Sequence, residues 1–261
     1  MATLITFSSQ RTSNNASQGC AVPWLLVSVR SREEAIHAIQ GGAQILDIKE
    51  PAFGSLGMAE VEVIREIAGS INDSSHTSVP LSVALGELND WIGRSDIPVL
   101  PAEVTFAKLG LSDLAGANEW QKEWQRIRHE FDRRRDAPLQ WVAVAYADNV
   151  AARSPSLHDV LLAAAKSGCC GLLIDTYVKQ GQTLADFFSA ARLQETVERC
   201  HAAGMFLAIA GSLTIETLQV FGKINADIVA IRSAACRNAN RINAIDPSLV
   251  VDFRAALAIS R

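Results

Sequence analysis

The chain has 261 residues, a formal net charge of −4 at pH 7 and 49% hydrophobic residues. The hydrophobic share is that of a globular protein, and the small negative charge excludes a field that would attract nucleic acid or anionic lipid. We therefore expect no nucleic-acid partner and no membrane partner. Length alone permits two ordinary domains or one α/β barrel, because such barrels reach about 250 residues as a single unit.

The N-terminal segment is polar and differs in composition from the rest of the chain. It lacks the basic stretch and the apolar run of a secretory signal, so we predict a flexible polar arm over residues 1–22 and a single domain over residues 23–261. The chain contains no apolar run of the ~18 residues that a transmembrane helix requires. Five cysteines without CxxC spacing indicate a reducing compartment, and we expect a cytoplasmic protein.

From Trp24 onward, short apolar runs alternate with longer segments of helical periodicity. The first helical segment shows clear end signals, with Ser31 as a potential N-cap and Gly41 where the helix should stop. No GxGxxG motif follows the first strand, which argues against a dinucleotide-binding fold. The pattern predicts a (β/α)8 TIM barrel. The predicted strands are 24–29, 44–49, 80–86, 104–109, 140–146, 171–175, 205–210 and 227–231, and later helices are predicted at 59–70, 117–134, 155–167, 184–203, 214–221 and 247–258.

Lysine is rare in this chain, with six residues among 24 basic ones, and three of the six lie in apolar or glycine-flanked segments. Lys49 follows Asp47 on the second predicted strand, Lys108 lies in the fourth, and Lys179 comes four residues after Asp175. Active sites of TIM barrels lie at the C-terminal strand ends, so these side chains should meet there. A desolvated lysine, or one beside another cation, can attack a carbonyl as the free amine. The alternative is that each lysine forms a structural ion pair with an aspartate. The sequence does not decide whether Asp47 and Asp175 act as general acids or bases or only hold a lysine in place.

The last two predicted loops contain small residues of the kind that bind phosphate in this fold. Gly211 and Ser212 follow the seventh strand, and Arg232 and Ser233 follow the eighth. Backbone N–H groups in these loops, together with the Arg232 guanidinium, predict a site for a phosphorylated substrate. The alternative is an ordinary turn and helix cap at Gly211 and Ser212. The five histidines show no HxH or HExxH spacing, so we predict no metal site.

Several motifs, in order along the chain, resemble those of the (5-formylfuran-3-yl)methyl phosphate synthase family. The resemblance runs from about residue 24 to residue 245, and it differs at Ser233, where the family often has glycine. Because several motifs occur in the same order, the resemblance is more specific than any one of them. The motifs are DIKEPAFGSLG (47–57), FAKLG (106–110), YAD (146–148), LLIDTYVKQGQTLADF (172–187), AIAGSL (208–213) and DIVAIRSAAC (227–236).

The resemblance implies a TIM-barrel lyase of methanofuran biosynthesis, part of one-carbon metabolism. Such an enzyme condenses two molecules of glyceraldehyde 3-phosphate without a cofactor, and a phosphorylated triose would be its small-molecule partner. The functional residues implied are Asp47, Lys49, Lys108, Asp175 and Lys179, with Lys49 as the Schiff-base lysine. Two other functions stay open, namely a class I aldolase acting on another phosphorylated sugar and a non-catalytic barrel that binds a phosphometabolite. A homo-oligomer is compatible with the sequence.

Overall fold

A computed structural model describes residues 22–72, 79–221 and 224–259, so the predicted N-terminal arm lies outside the described residues except for Val22. Eight parallel strands pair in sequence order, and β8 pairs with β1 to close the barrel. The predicted TIM barrel is therefore confirmed. The strands are β1 (Trp24–Val29), β2 (Ile45–Ile48), β3 (Leu81–Glu87), β4 (Val104–Gly110), β5 (Gln140–Tyr146), β6 (Gly171–Asp175), β7 (Phe206–Ile209) and β8 (Ile228–Ile231).

The strands alternate with helices everywhere except between β3 and β4. There the described chain forms only a 3-10 turn at Leu88–Asp90. The α-helices pack on the outside of the barrel, where the outward side chains of the strands form the larger part of the apolar core. The helices are α1 (Arg32–Gln40), α2 (Val61–Asn72), α3 (Trp120–Asp132), α4 (Leu157–Lys166), α5 (Ala190–Ala202), α6 (Ile215–Phe221) and α7 (Pro247–Ile259).

The prediction of one helix over residues 184–203 is wrong in its first part. Residues Leu184–Asp186 form a separate 3-10 turn, and α5 begins at Ala190 after an N-cap at Ser189. The turn is closed by the side chain of Asp186, which accepts a hydrogen bond from the N–H of Thr183 at 2.7 Å. These local side-chain bonds compete with helix formation, which is why the periodic pattern extended the helix too far.

Aromatic and aliphatic side chains fill the N-terminal half of the barrel interior. The rings of Phe106 and Phe206 pack edge to face with their centroids 6.1 Å apart. Gly171 is required beside them, because a Cβ atom there would lie 2.3 Å from the Phe206 ring. This apolar floor closes the barrel below and leaves the polar side chains of β1, β2, β4 and β6 at the C-terminal end.

None of the helices in the described part of the chain has the length and apolar character needed to cross a bilayer.

Candidate active site

The five residues predicted to carry the chemistry all line one cavity at the C-terminal end of the barrel. Their positions follow from the period of two in strands, which directs Asp47 and Lys49 to the same side of β2. The charged residues of the cavity wall are five cations and two carboxylates, so the cavity favours an anionic ligand. In the described residues, no group of three or more His, Cys, Asp or Glu side chains is arranged to hold a metal ion. The charged residues are Asp47, Lys49, Lys108, Asp175, Lys179, Arg232 and Arg241.

Asp47 and Lys108 form a buried ion pair across the barrel interior. The Nζ of Lys108 donates to Oδ1 of Asp47 at 2.5 Å, and both side chains are less than 5% exposed. The hydroxyl of Ser28 donates to the second carboxylate oxygen of Asp47 at 3.2 Å. Burial alone would raise the pKa of Asp47, but the charges of Lys108 and Lys49 outweigh it and lower that pKa. Asp47 is therefore a carboxylate at neutral pH.

Asp175 and Lys179 form the second ion pair of the cavity. The Nζ of Lys179 lies 2.6 Å from Oδ1 of Asp175, and the hydroxyl of Ser55 lies 2.8 Å from Oδ2. Burial would raise the pKa of Asp175, and the charges of Lys179 and Lys49 lower it below the usual value. Ser55 belongs to the loop between β2 and α2, so its hydroxyl connects that loop to the end of β6.

Lys49 differs from the other two lysines because it has no carboxylate within ion-pair distance among the described residues. Its Nζ donates instead to the backbone carbonyl of Ser55 at 3.1 Å, and the residue is 7% exposed. Burial is the main reason that the pKa of Lys49 falls to about 8, and Lys179 and Arg241 add to this effect against the opposing charges of Asp175 and Asp47. Burial lowers the pKa of Lys179 as well, but the Lys179 amine is bound to Asp175. Lys49 combines a lowered pKa with an amine that contacts no carboxylate among the described residues, which suits it to act as a free amine.

The loops after β7 and β8 bring small residues and backbone N–H groups to the same cavity. Gly211, Ser212, Leu213 and Ser233 line it. Within the described part of the chain, the backbone N–H groups of Ser212, Leu213 and Ser233 donate to no protein acceptor. Gly211 adopts a φ of +100°, and Ser212 adopts a φ of +52°, which is uncommon for a residue with a side chain. Free backbone N–H groups in a turn of this kind can bind an anion, so phosphate binding by these loops stays a prediction.

Arg232 does not present its guanidinium to a ligand in the way the sequence suggested. Its two Nη atoms bind both carboxylate oxygens of the buried Glu34. The remaining N–H groups donate to backbone carbonyls of Ser28, Arg241 and Asn243 at 2.8–3.1 Å. All five N–H groups are therefore used within the protein, and Arg232 ties the end of β8 to β1 and α1. Sequence patterns could not show this, because Glu34 lies 198 residues away.

Sequence patterns did not single out Ser28, Ser55 or Arg241 as residues of the site. Ser55 lies within the motif DIKEPAFGSLG, so its presence there was a usable signal. Arg241 lies in the long irregular segment between β8 and α7, where neither periodicity nor strand-end position marks a residue as functional. Its Nη2 donates to the carbonyl of Gly54 at 2.7 Å, and its side chain lines the cavity.

Solved structures with a similar fold are TIM-barrel proteins of low sequence identity. The wild-type GGGPS from Thermoplasma volcanium superposes with a TM-score of 0.60 at 11% identity, covering 91% of this chain and 92% of that chain. The 3-hexulose-6-phosphate synthase from Salmonella typhimurium gives a TM-score of 0.53 at 12% identity, covering 91% of this chain and all of that chain. At these identities the likeness shows the fold alone.

Sequence comparison identifies much nearer relatives. A protein of Methanopyrus kandleri named (5-formylfuran-3-yl)methyl phosphate synthase is 34% identical over 243 residues, or 90% of this chain and 99% of its own length. A protein of Methanosarcina barkeri with the same name is 33% identical and covers 87% of this chain and 95% of its own length. The model of the 4-HFC-P synthase family matches residues 25–254, which span all eight strands of the barrel. The chain therefore belongs to the 4-HFC-P synthase family of enzymes.

Proposed function

We propose that this protein is a lyase that condenses two molecules of glyceraldehyde 3-phosphate into (5-formylfuran-3-yl)methyl phosphate through an imine on Lys49. The product serves the biosynthesis of a methanofuran-type cofactor. Two relatives that match most of the chain carry the name of this synthase, which supports the product class. The reaction releases one phosphate and two water molecules for each furan formed.

The state of Lys49 is the observation that carries the proposal. An amine must be unprotonated to attack a carbonyl, and a pKa of about 8 leaves roughly a tenth of the Lys49 side chains in that form at pH 7. The amines of Lys108 and Lys179 are each bound to a carboxylate, at 2.5 Å from Asp47 and 2.6 Å from Asp175, so neither lone pair is as accessible to a substrate carbonyl as that of Lys49. Lys49 is the nucleophile in this proposal because it is buried near two cations and because no described carboxylate lies within ion-pair distance of its amine.

The two ion pairs beside Lys49 supply groups for proton transfer. The Lys49 amine attacks the carbonyl of one triose phosphate, and loss of water gives the imine. The imine acidifies the neighbouring C–H group, and removal of that proton gives an enamine whose carbon attacks the aldehyde of the second triose. Asp47 and Asp175 have lowered pKa values and lie near Lys49, so either carboxylate can accept this proton. Lys108 and Lys179 can donate protons to the oxygen atoms that leave as water.

The phosphate end of the substrate fits the other side of the cavity. The unpaired backbone N–H groups of Ser212, Leu213 and Ser233 can donate to phosphate oxygens without any change in the fold. Glycine is favoured at position 211, because its φ is +100° and a Cβ atom there would lie 3.0 Å from the Thr176 side chain. Arg232 supports this site by holding the end of β8, which makes it a positioning residue in the proposal.

The test is to incubate the purified protein with glyceraldehyde 3-phosphate and identify the product by mass spectrometry. A conjugated furan aldehyde absorbs in the ultraviolet and a sugar phosphate does not, so absorbance separates this synthase from a simple aldolase. Borohydride added during turnover should fix substrate carbon on Lys49, located by peptide mapping. Product formation with the label on Lys108 or Lys179 would overturn the assignment of the nucleophile, and product formation with no label would overturn the imine itself.

A further inference from the structure

We infer that Arg241 is the arginine that binds a phosphoryl group of the substrate. This is the role predicted from the sequence for Arg232. The identity of the ligand rests on the proposed function, whereas the anion-binding role of the side chain rests on its surroundings. No motif of the chain singled out this residue, and its role follows from a comparison of how the two arginines are bonded.

The two guanidinium groups differ in how many of their N–H groups the protein uses. Arg232 donates all five to protein acceptors, including the carboxylate of Glu34. Arg241 donates from Nη2 to the carbonyl of Gly54, and its Nε is buried with no hydrogen-bond partner. The Nη1 of Arg241 also donates to no acceptor within the described part of the chain. Arg241 therefore has donors available for an anion.

The charges around Arg241 also favour an anion. No carboxylate lies within ion-pair distance of its guanidinium among the described residues, although Asp175 and Glu50 are near enough to act on it. Three cations share its surroundings, namely Lys49, Lys179 and Arg232. Burial and the charge of Arg232 lower the pKa of Arg241, with Asp175 opposing them. A dianionic phosphoryl group would relieve both the desolvation and the repulsion.

The side chain is already held in position at the rim of the cavity. The bond to Gly54 connects it to the loop between β2 and α2, and its own carbonyl accepts from Nε of Arg232 at 2.8 Å. Arg241 therefore spans the cavity mouth between the β2 and β8 sides. One bond fixes the backbone of Arg241 and the other fixes its guanidinium, so part of the side-chain entropy is already lost before an anion binds.

Titration calorimetry with inorganic phosphate tests the inference without any catalytic turnover. We expect Arg241→Ala to weaken phosphate binding about 10- to 100-fold, and Arg241→Lys to weaken it less because the charge is kept. Arg237→Ala is the matched control, since Arg237 lies in the same segment but is 65% exposed and faces Asp246. This variant should bind phosphate with the affinity of the wild type. Equal affinity in Arg241→Ala and the wild type, or no phosphate binding by the wild type, would overturn the inference.

Imine trapping at pH 9, where most Lys49 amines are free in every variant, separates this inference from the proposed function. With glyceraldehyde, which has no phosphate, Arg241→Ala and the wild type should be labelled at the same aldehyde concentration. With glyceraldehyde 3-phosphate, Arg241→Ala should need about 10- to 100-fold more substrate for half-maximal labelling. A wild type that is never labelled counts against the imine alone, because the calorimetry still reports on Arg241. Equal requirements for the phosphorylated aldehyde would overturn the role of Arg241.

Discussion

The cavity has two walls of opposite character. The charged wall consists of Asp47, Lys49, Lys108, Asp175 and Lys179, contributed by β2, β4, β6 and the segment after β6. The small-residue wall consists of Ala208, Ala210, Gly211 and Ala230, contributed by β7, β8 and the turn after β7. Both walls continue the same alternation of inward and outward side chains, so the fold does not require them to differ.

The difference between the two walls separates the groups that take part in the proposed reaction from the small residues that leave space for the substrate. On the charged wall, hydrogen bonds join Lys108 to Asp47, Lys179 to Asp175, and Lys49 to the carbonyl of Ser55. On the small-residue wall, short side chains leave space, and the adjoining loop residues Ser212, Leu213 and Ser233 have backbone N–H groups with no acceptor among the described residues. In the proposed reaction, the groups that exchange protons lie on the charged wall. The small-residue wall opposite them only has to accommodate the size and charge of the substrate. Substitutions on the two walls should consequently affect different kinetic constants.

The largest effect should come from Lys49→Arg on the charged wall. Arginine keeps the positive charge but stays protonated at any pH the enzyme tolerates, so it cannot form an imine. We expect product formation to fall by at least about 10³-fold, measured by ultraviolet absorbance of the furan aldehyde. Lys122→Arg, on the exposed face of α3, is the matched control and should be fully active. If Lys49→Arg kept activity within tenfold of the wild type, the charged wall would not supply the nucleophile.

Asp47→Asn should break the charged wall by leaving an ammonium buried without a counter-charge. Lys108 is 4% exposed and has Asp47 as its ion-pair partner, so removing that charge should lower the free energy of unfolding by about 3–5 kcal/mol. Asp175→Asn should cost less, because Lys179 is 17% exposed and water can solvate it. Chemical denaturation of the two variants measures the difference. Equal losses would show that burial does not distinguish the two ion pairs.

Ala230→Leu should change the small-residue wall without touching the ionised groups. The larger side chain enters the space that the substrate needs, so we expect KM to rise about tenfold while kcat changes less. Ala191→Leu on the exposed face of α5 is the control and should leave both constants unchanged. A fall in kcat at constant KM would contradict the separation of the two walls, since it would give Ala230 a part in the chemical step.

The pH profile provides the smallest but most specific test of the charged wall. Imine formation needs the neutral amine, so kcat/KM should rise by close to tenfold per pH unit well below pH 8 and level off above it. Lys179→Met removes a cation near Lys49 and leaves Asp175 unpaired, and both changes should move the midpoint to higher pH. Lys122→Met should leave the midpoint in place. A midpoint that stays near 8 in Lys179→Met would show that Lys179 does not influence Lys49.

Much of the fold followed from local patterns in the sequence. All eight strands lie within two residues of the predicted positions, because each is a short apolar run between polar segments. The first part of the helix predicted over residues 184–203 was wrong, because side-chain hydrogen bonds there competed with helical ones. The convergence of Asp47, Lys49, Lys108, Asp175 and Lys179 was also predictable, since parallel strand ends of a barrel meet at one mouth.

The sequence by itself determined which strand residues reach the cavity, because alternation along a strand and position at its C-terminal end are local properties. Only the tertiary structure decided what each one contacts there. Whether a buried cation has a carboxylate partner can depend on another element of the fold. Lys108 pairs with Asp47 of β2, and Arg232 pairs with Glu34 of α1. Those pairings leave Lys49 without an ion-pair partner among the described residues and Arg241 with a buried unpaired Nε. Pairing is a matter of distances between side chains far apart in the chain, and no local pattern encodes such distances.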